Sequence, residues 1–208
     1  MTAPAPTIFV VDDDTSVRKS LGRLLASAGY AVESFASARE FLASGRRPRP
    51  GCLVLDVRMP DLTGLELQRI LASAPHQVPI VFITGHGDIP MSVRAMKDGA
   101  VDFLPKPFDD RDLLNAIGRA VAKDVGDLGR EAGITEIQKR VGLLTPRETE
   151  VFALVVTGML NKQIAGALGI GEKTVKVHRA RVMEKMRAGS VAELVRLADA
   201  VGLSAPTA

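Results

Sequence analysis

Between residue 7 and about residue 122, short runs of β-branched and other apolar residues alternate with longer stretches whose apolar positions recur every three or four residues. That alternation predicts a parallel sheet covered by helices on both faces. The strands read at 8–11, 31–35, 52–55, 80–83 and 101–104. Three of them, IFVV, CLVL and IVFI, are apolar throughout, as strands buried on two sides must be. Helices are predicted near 15–28, 37–44, 63–73, 89–98 and 109–122, with Gly29 and Gly99 placed to terminate the first and the fourth. The expected architecture is an α/β domain with a doubly wound, five-stranded parallel sheet.

From 123 to 142 the pattern changes. Gly126, Gly129 and Gly133 punctuate a charged segment that fits no strand, which reads as a linker between domains at 5–122 and 143–203. Ile134, Ile137 and Val141, spaced i, i+3, i+7, predict a short amphipathic helix in its later half. Thr145-Pro146-Arg147-Glu148 then combines a capping threonine, a proline at the first helical position and a glutamate three residues after the cap, which together start a helix. That helix runs to about Gly158. Others follow at 161–168, 172–187 and 190–203, with Gly169 as a break. Two short helices joined by a glycine-containing turn predict a helix-turn-helix within an all-α, four-helix domain. The ends, MTAPAP and SAPTA, read as tails.

Composition narrows the class. With 46% hydrophobic and 25% charged residues among 208, the chain has an ordinary globular makeup. No stretch approaches the roughly 20 apolar residues of a membrane span, and the N-terminus lacks the features of a signal peptide, so a cytoplasmic protein is expected. Cys52 is the only cysteine and sits in an apolar strand, which predicts a buried, reduced thiol. His76, His86 and His178 do not match zinc spacing. Residues 1–122 carry 14 Lys and Arg against 14 Asp and Glu, whereas 123–208 carry 13 against 10, so the net charge of +3 lies in the C-terminal part. Within 172–187 six basic residues stand against two acidic ones. Charge alone does not separate an anion-binding surface there from a solvated helix face.

In a doubly wound sheet, ligands bind at the carboxyl ends of the strands, where the order of connections reverses. Asp12, Asp13 and Asp14 follow the first predicted strand and Asp56 follows the third, so at least three carboxylates should converge at one edge. Unpaired, they repel one another; a hard cation relieves this, and Mg²⁺ suits a site with few carboxylates and several waters. Asp14 is better explained as the cap of the first helix. The acidic edge, with neither GxGxxG nor a P-loop, argues against a nucleotide-binding sheet and against a flavodoxin-like redox protein. Thr84 closes the fourth strand in VFITG, and Lys106 follows the fifth in FLPKPF. A hydroxyl and an ammonium beside metal-bound carboxylates form a set that can stabilise a transferring phosphoryl group on three sides.

Taken in order, VVDDD, LDVRMPDLTG, the threonine of the fourth strand and the Lys-Pro after the fifth resemble the receiver domains of two-component response regulators over about residues 5–122. The resemblance implies that Asp56 is the phosphoacceptor for a phosphohistidine on a sensor histidine kinase. It implies that Asp12, Asp13, Asp56 and the backbone carbonyl of Arg58 hold Mg²⁺. Thr84 and Lys106 would bind the phosphoryl oxygens, their movement coupled to Phe103 at the switch-aromatic position. Arg58 and His86 stand where family side chains tune the lifetime of the phosphoryl group. Arg46, Arg47 and Arg49, among Pro48 and Pro50, read as a solvated loop.

Residues 144–201 resemble the LuxR-type DNA-binding domain of the NarL/FixJ class through LTPRE, NKQIAGALGI and EKTVKVHRARVMEKM. The wording LDVRMP, HGDIPMSVRAMK and PKPF leans toward the FixJ-like branch. Gly171 stands where these domains commonly carry a serine cap, and glycine also caps acceptably. At 100° per residue, Val175, His178, Val182 and Met186 share one face of 172–187 and read as core. Lys173, Lys176, Val177, Ala180, Glu184 and Arg187 share the other. Small apolar members of that second face permit close approach to the major groove. The implied DNA contacts are Lys173, Thr174, Lys176, Val177, Arg179, Ala180 and Arg181. Few aromatics argue against stacking on single strands or RNA. The chain thus reads as a phosphorylation-gated transcription regulator, not an enzyme beyond its own phosphorylation and dephosphorylation. Its expected partners are the kinase, double-stranded promoter DNA and RNA polymerase, and phosphorylation is expected to form a homodimer through the face near 89–108. A phosphotransfer intermediate or sink, whose helical domain docks only proteins, stays open as the alternative.

Overall fold

The computed structural model describes residues 5–45, 50–74, 77–85 and 89–203. Arg46, Arg47, Pro48 and Arg49, together with His76, His86 and the outermost tail residues, lie outside them. Two compact units divide between Leu128 and Gly129.

The first unit alternates strands and helices: β1(Thr7–Val11), α1(Thr15–Ser27), β2(Ala31–Phe35), α2(Ala38–Ala43), β3(Gly51–Asp56), α3(Gly64–Ala72), β4(Ile80–Thr84), α4(Ile89–Lys97), β5(Asp102–Pro105) and α5(Asp110–Gly142). All strand pairs are parallel, in the order β2-β1-β3-β4-β5. Because successive side chains of a strand point to opposite faces, β1 sends Phe9 and Val11 into one core and Ile8 and Val10 into another. The first core includes Phe41 of α2, Leu67 of α3 and Ala95 of α4; the second includes Leu21 and Leu25 of α1 and Leu113 and Ile117 of α5. Both faces are thus closed, which is why β1, β3 and β4 tolerate no polar residue along their length except at the ends. Cys52 is fully buried in the second core, and burial together with the charge of Asp124 pushes its thiol far above the ordinary range.

One element differs from expectation. The helix predicted to stop near 122 continues to Gly142, so the segment expected as a linker with a helix only in its later half is helical throughout. Each glycine lowers helix propensity by about 1 kcal/mol relative to alanine, yet Gly126, Gly129 and Gly133 all keep negative φ. Tertiary anchors on both sides outweigh that weakness. The buried Asp124 carboxylate accepts a hydrogen bond from the Gly51 N–H at 2.7 Å, and Ile137 and Val141 pack against the core of the second unit.

The second unit continues with α6(Pro146–Val156), α7(Asn161–Leu168), α8(Glu172–Met186) and α9(Val191–Ala200). The predicted capping box is present: the Thr145 hydroxyl accepts from the Glu148 N–H at 3.3 Å, and the Glu148 carboxylate accepts from the Thr145 N–H at 2.9 Å. Gly169 ends α7 at φ 63°, and α8 ends at Met186, one residue short of the predicted bound. Val151, Phe152, Val155, Ile164, Val175, Val182, Met186 and Leu194 form its core. Among the described residues no helix is long and apolar enough to cross a membrane.

Candidate functional site

The exchange of strand order falls between β1 and β3, which lie side by side with Val11 opposite Leu55. The next residues, Asp12 and Asp56, therefore emerge together at the carboxyl edge, and both are nearly fully buried. Lys106 reaches them from the end of β5: its Nζ donates to Asp12 Oδ2 at 2.7 Å and to Asp56 Oδ1 at 2.9 Å. The remaining oxygens accept from backbone, Asp12 Oδ1 from the Asp14 N–H at 2.8 Å and Asp56 Oδ2 from the Arg58 N–H at 2.7 Å. Two buried like charges are tolerable here because one ammonium serves both. Burial raises the Asp56 carboxyl above its ordinary range; the hydrogen bond and charge of Lys106 oppose the rise, and the charge of Asp12 adds to it. Burial alone would lower the Lys106 ammonium, but the hydrogen bonds and charges of Asp12 and Asp56 prevail and hold it above its ordinary range.

The surroundings fix this geometry. The Lys106 N–H donates to the Thr84 carbonyl at 2.7 Å, tying the end of β5 to the end of β4. Thr84 is itself buried. Phe103 lies opposite Phe82 in the β4–β5 register, the rings 6.1 Å apart and tilted by 46°. Asp14 caps α1 by accepting from the Ser16 N–H at 2.7 Å, in line with its reading as a cap. Arg18 was not singled out by the sequence: its guanidinium donates to the Asp12 carbonyl at 2.6 Å and to the Thr15 hydroxyl at 2.9 Å. Only its place one turn into the helix that follows VVDDD hinted at this.

Asp13, the third carboxylate expected in the cluster, is exposed, and among the described residues no group of three or more His, Cys, Asp or Glu side chains is arranged to hold a metal ion. The donor set nonetheless fits Mg²⁺. The two converging carboxylates of Asp12 and Asp56 are hard oxygen ligands, and this ion keeps several waters.

In α8 the two predicted faces separate as expected. Val175, Val182 and Met186 are fully buried, and His178 is half-buried with its Nδ1 enclosed. Lys173, Thr174, Lys176, Val177, Ala180, Arg181 and Glu184 are exposed. Arg179 is half-buried and donates to the Asn161 side chain at 2.9 Å, bracing α7 against α8. Lys185 bonds the Glu148 carboxylate at 2.6 Å and the Leu143 carbonyl at 3.0 Å, and that contact holds Glu148, itself buried, at a pKa of about 2.

Comparison with known proteins bears on both regions. Residues 8–118 match the response regulator receiver domain, and residues 142–198 match the luxR family of bacterial regulatory proteins. The chain is 50% identical over 198 residues to nodulation protein W of Bradyrhizobium diazoefficiens, covering 95% of this chain and 87% of the relative. It is 47% identical over 196 residues to the transcriptional regulatory protein FixJ of Rhizobium meliloti, covering 94% and 96%. The solved structure of response regulator StyR superposes with a TM-score of 0.82 at 50% identity, covering 94% of this chain and 99% of that one. A helical half of luxR type, in relatives that include named transcriptional regulators, leaves the phosphotransfer-sink reading without support. With both halves matched in order and relatives aligned over nearly the full length, the chain belongs to the two-component response regulators, in the FixJ-like branch of those that join a receiver to a LuxR-type DNA-binding domain.

Proposed function

We propose that Asp56 accepts the phosphoryl group of a sensor histidine kinase and that α8 carries the resulting signal to promoter DNA. The observation that supports this most directly is the bridging of Asp12 and Asp56 by Lys106 Nζ. A carboxylate oxygen of Asp56 attacks phosphorus as the bond from phosphorus to the kinase imidazole breaks; the electron pair stays on that nitrogen, and the imidazole, protonated on its other ring nitrogen, leaves as a neutral ring. Lys106 then transfers its contact from the carboxylate to the phosphoryl oxygens, and the Thr84 hydroxyl donates to another. Asp12, Asp13, Asp56 and the Arg58 carbonyl would hold Mg²⁺, which receiver domains generally use for phosphorylation and which supplies countercharge to the phosphoryl oxygens. We assign the chain no reaction beyond its own phosphorylation and dephosphorylation.

The receiver spans 5–122, the connecting segment 123–142 and the DNA-binding domain 143–203. Lys173, Thr174, Lys176, Val177, Arg179, Ala180 and Arg181 face or flank the major groove, and RNA polymerase is a further partner, in the cytoplasm. Exposed Ile89, Val93 and Met96 on α4 form the surface through which phosphorylated copies pair. With Mg²⁺ and acetyl phosphate the full chain gains one phosphoryl group, and Asp56→Asn abolishes the labelling. Labelling that survives this substitution, or that proceeds unhindered in excess chelator, overturns the assignment.

A further inference from the structure

Seven times among the described residues the chain turns left-handed just beyond a helix, and six of those residues are glycine. Gly29, Gly45, Gly99, Gly158, Gly169 and Gly202 follow α1, α2, α4, α6, α7 and α9, with φ between 62° and 93°. Beyond α8 the residue is Arg187, at φ 53° and ψ 41°. The turn there is held by backbone alone: the Arg187 N–H donates to the Glu184 carbonyl at 3.0 Å and the Ala188 N–H to the Met183 carbonyl at 2.9 Å. Glycine meets this requirement without crowding between Cβ and carbonyl, whereas an ordinary side chain carries strain. The turn does not need the arginine side chain, and the side chain makes no hydrogen bond or ion pair among the described residues and is exposed. Strain of this kind persists where the side chain serves something other than stability.

The position says what that is. Arg187 is exposed at the C-terminal end of the helix that carries the exposed Lys173, Lys176, Val177, Ala180 and Glu184. At about 1.5 Å per residue it stands about 21 Å from Lys173, longer than the roughly 12 Å width of the major groove. A helix that crosses the groove with its N-terminal half on base edges overshoots it, so that its far end comes against a phosphate strand. The planar fork of arginine suits phosphate. We propose that Arg187 is a further DNA-binding residue, its guanidinium clamping a backbone phosphate at the far wall of the groove that α8 enters. This rests on the reading of α8 as the recognition helix. A cation at a helix C-terminus also interacts favourably with the helix dipole, but that effect is read in stability and leaves DNA affinity untouched.

The test uses the full-length chain treated with Mg²⁺ and acetyl phosphate. It is titrated over a range of salt against a duplex selected from random DNA and against an unrelated duplex. For Arg187→Gly the thermal unfolding temperature rises, while affinity for both duplexes falls about fivefold per bound subunit at physiological salt and the salt slope drops by about one per subunit. Arg187→Asn, which also tolerates the left-handed turn, follows the glycine variant in binding, and Arg187→Lys retains most of the affinity. The proposal is overturned if Arg187→Gly and Arg187→Asn bind both duplexes with unchanged affinity and slope while Lys176→Ala weakens binding. A lower unfolding temperature for Arg187→Gly also overturns it, since the strain would then be absent. If Lys173→Ala and Lys176→Ala likewise change nothing, the placement of α8 in the groove fails, and this proposal fails with it.

Discussion

Gly64, the first residue of α3, approaches β3 so closely that a Cβ there would lie 2.3 Å from the Asp56 carbonyl oxygen and 3.1 Å from Leu55 Cγ and Val57 Cα. Its N–H donates to the Val57 carbonyl at 3.0 Å, so α3 starts directly against the strand end that presents Asp56, the proposed phosphoacceptor. The closest of these atoms belongs to the backbone of β3, which cannot turn aside as a side chain can. Gly64→Ala should therefore destabilise the receiver by roughly 1–3 kcal/mol, as overpacking does, and slow labelling by acetyl phosphate because Asp56 is displaced. Urea unfolding and a labelling time course check both. An unchanged midpoint with an unchanged rate would mean that β3 and α3 separate without cost.

The three glycines of α5 make the opposite case. A Cβ at Gly126, Gly129 or Gly133 would meet nothing within 4 Å, and none of the three has positive φ. Replacing all three with alanine should stabilise the helix by up to about 3 kcal/mol, read as slower amide exchange across 123–142. The Glu148–Lys185 pair governs a different element. Its contact lowers the Glu148 pKa from an ordinary 4.5 to about 2. Between those values the unfolded carboxyl binds a proton that the folded one refuses, so protonation favours unfolding. The stabilisation is complete above about pH 4.5 and disappears as pH falls toward 2. Over that window, amide exchange in α6 should accelerate more in the wild-type chain than in Glu148→Gln; equal acceleration would refute the pairing. The same elements show what sequence can reveal. β1, β3 and β4 were legible because burial on two faces leaves no alternative to an apolar run. The Asp12–Asp56–Lys106 cluster was legible because strand ends in this topology share an edge. The extent of α5 was not, since Asp124 bonds to Gly51, 73 residues away, and no local pattern announces such an anchor. Arg187 was counted as one more basic residue on the exposed face of 172–187, because a helical wheel carries no record of where the backbone leaves the helix.

At the scale of the whole molecule, a phosphoryl group on one unit has to change the affinity of the other for DNA. A single helix-turn-helix buries little DNA surface and binds weakly, whereas two held together occupy half-sites about one helical turn apart. Pairing of receivers is a direct way to supply the second copy, and α4 carries a surface fit for it. Ile89, Val93 and Met96, spaced i, i+4, i+7, are 80%, 46% and 44% exposed, while Ala95 is the only residue of this helix that is fully buried. A helix so lightly embedded is free to follow the proposed response of Thr84 and Phe103, on the neighbouring strands, to a phosphoryl group. Val93→Glu places a charge in the middle of the apolar stripe without touching the carboxylate edge. The variant should accept a phosphoryl group from acetyl phosphate at the wild-type rate, yet sediment as a monomer under conditions where the phosphorylated wild-type chain is a dimer. Its affinity for operator DNA should then be no higher with phosphorylation than without. A phosphorylated Val93→Glu chain that still dimerises would move the pairing surface away from α4. A wild-type chain that stays monomeric when phosphorylated, and still binds DNA more tightly, would show that affinity is raised within one molecule rather than by pairing two.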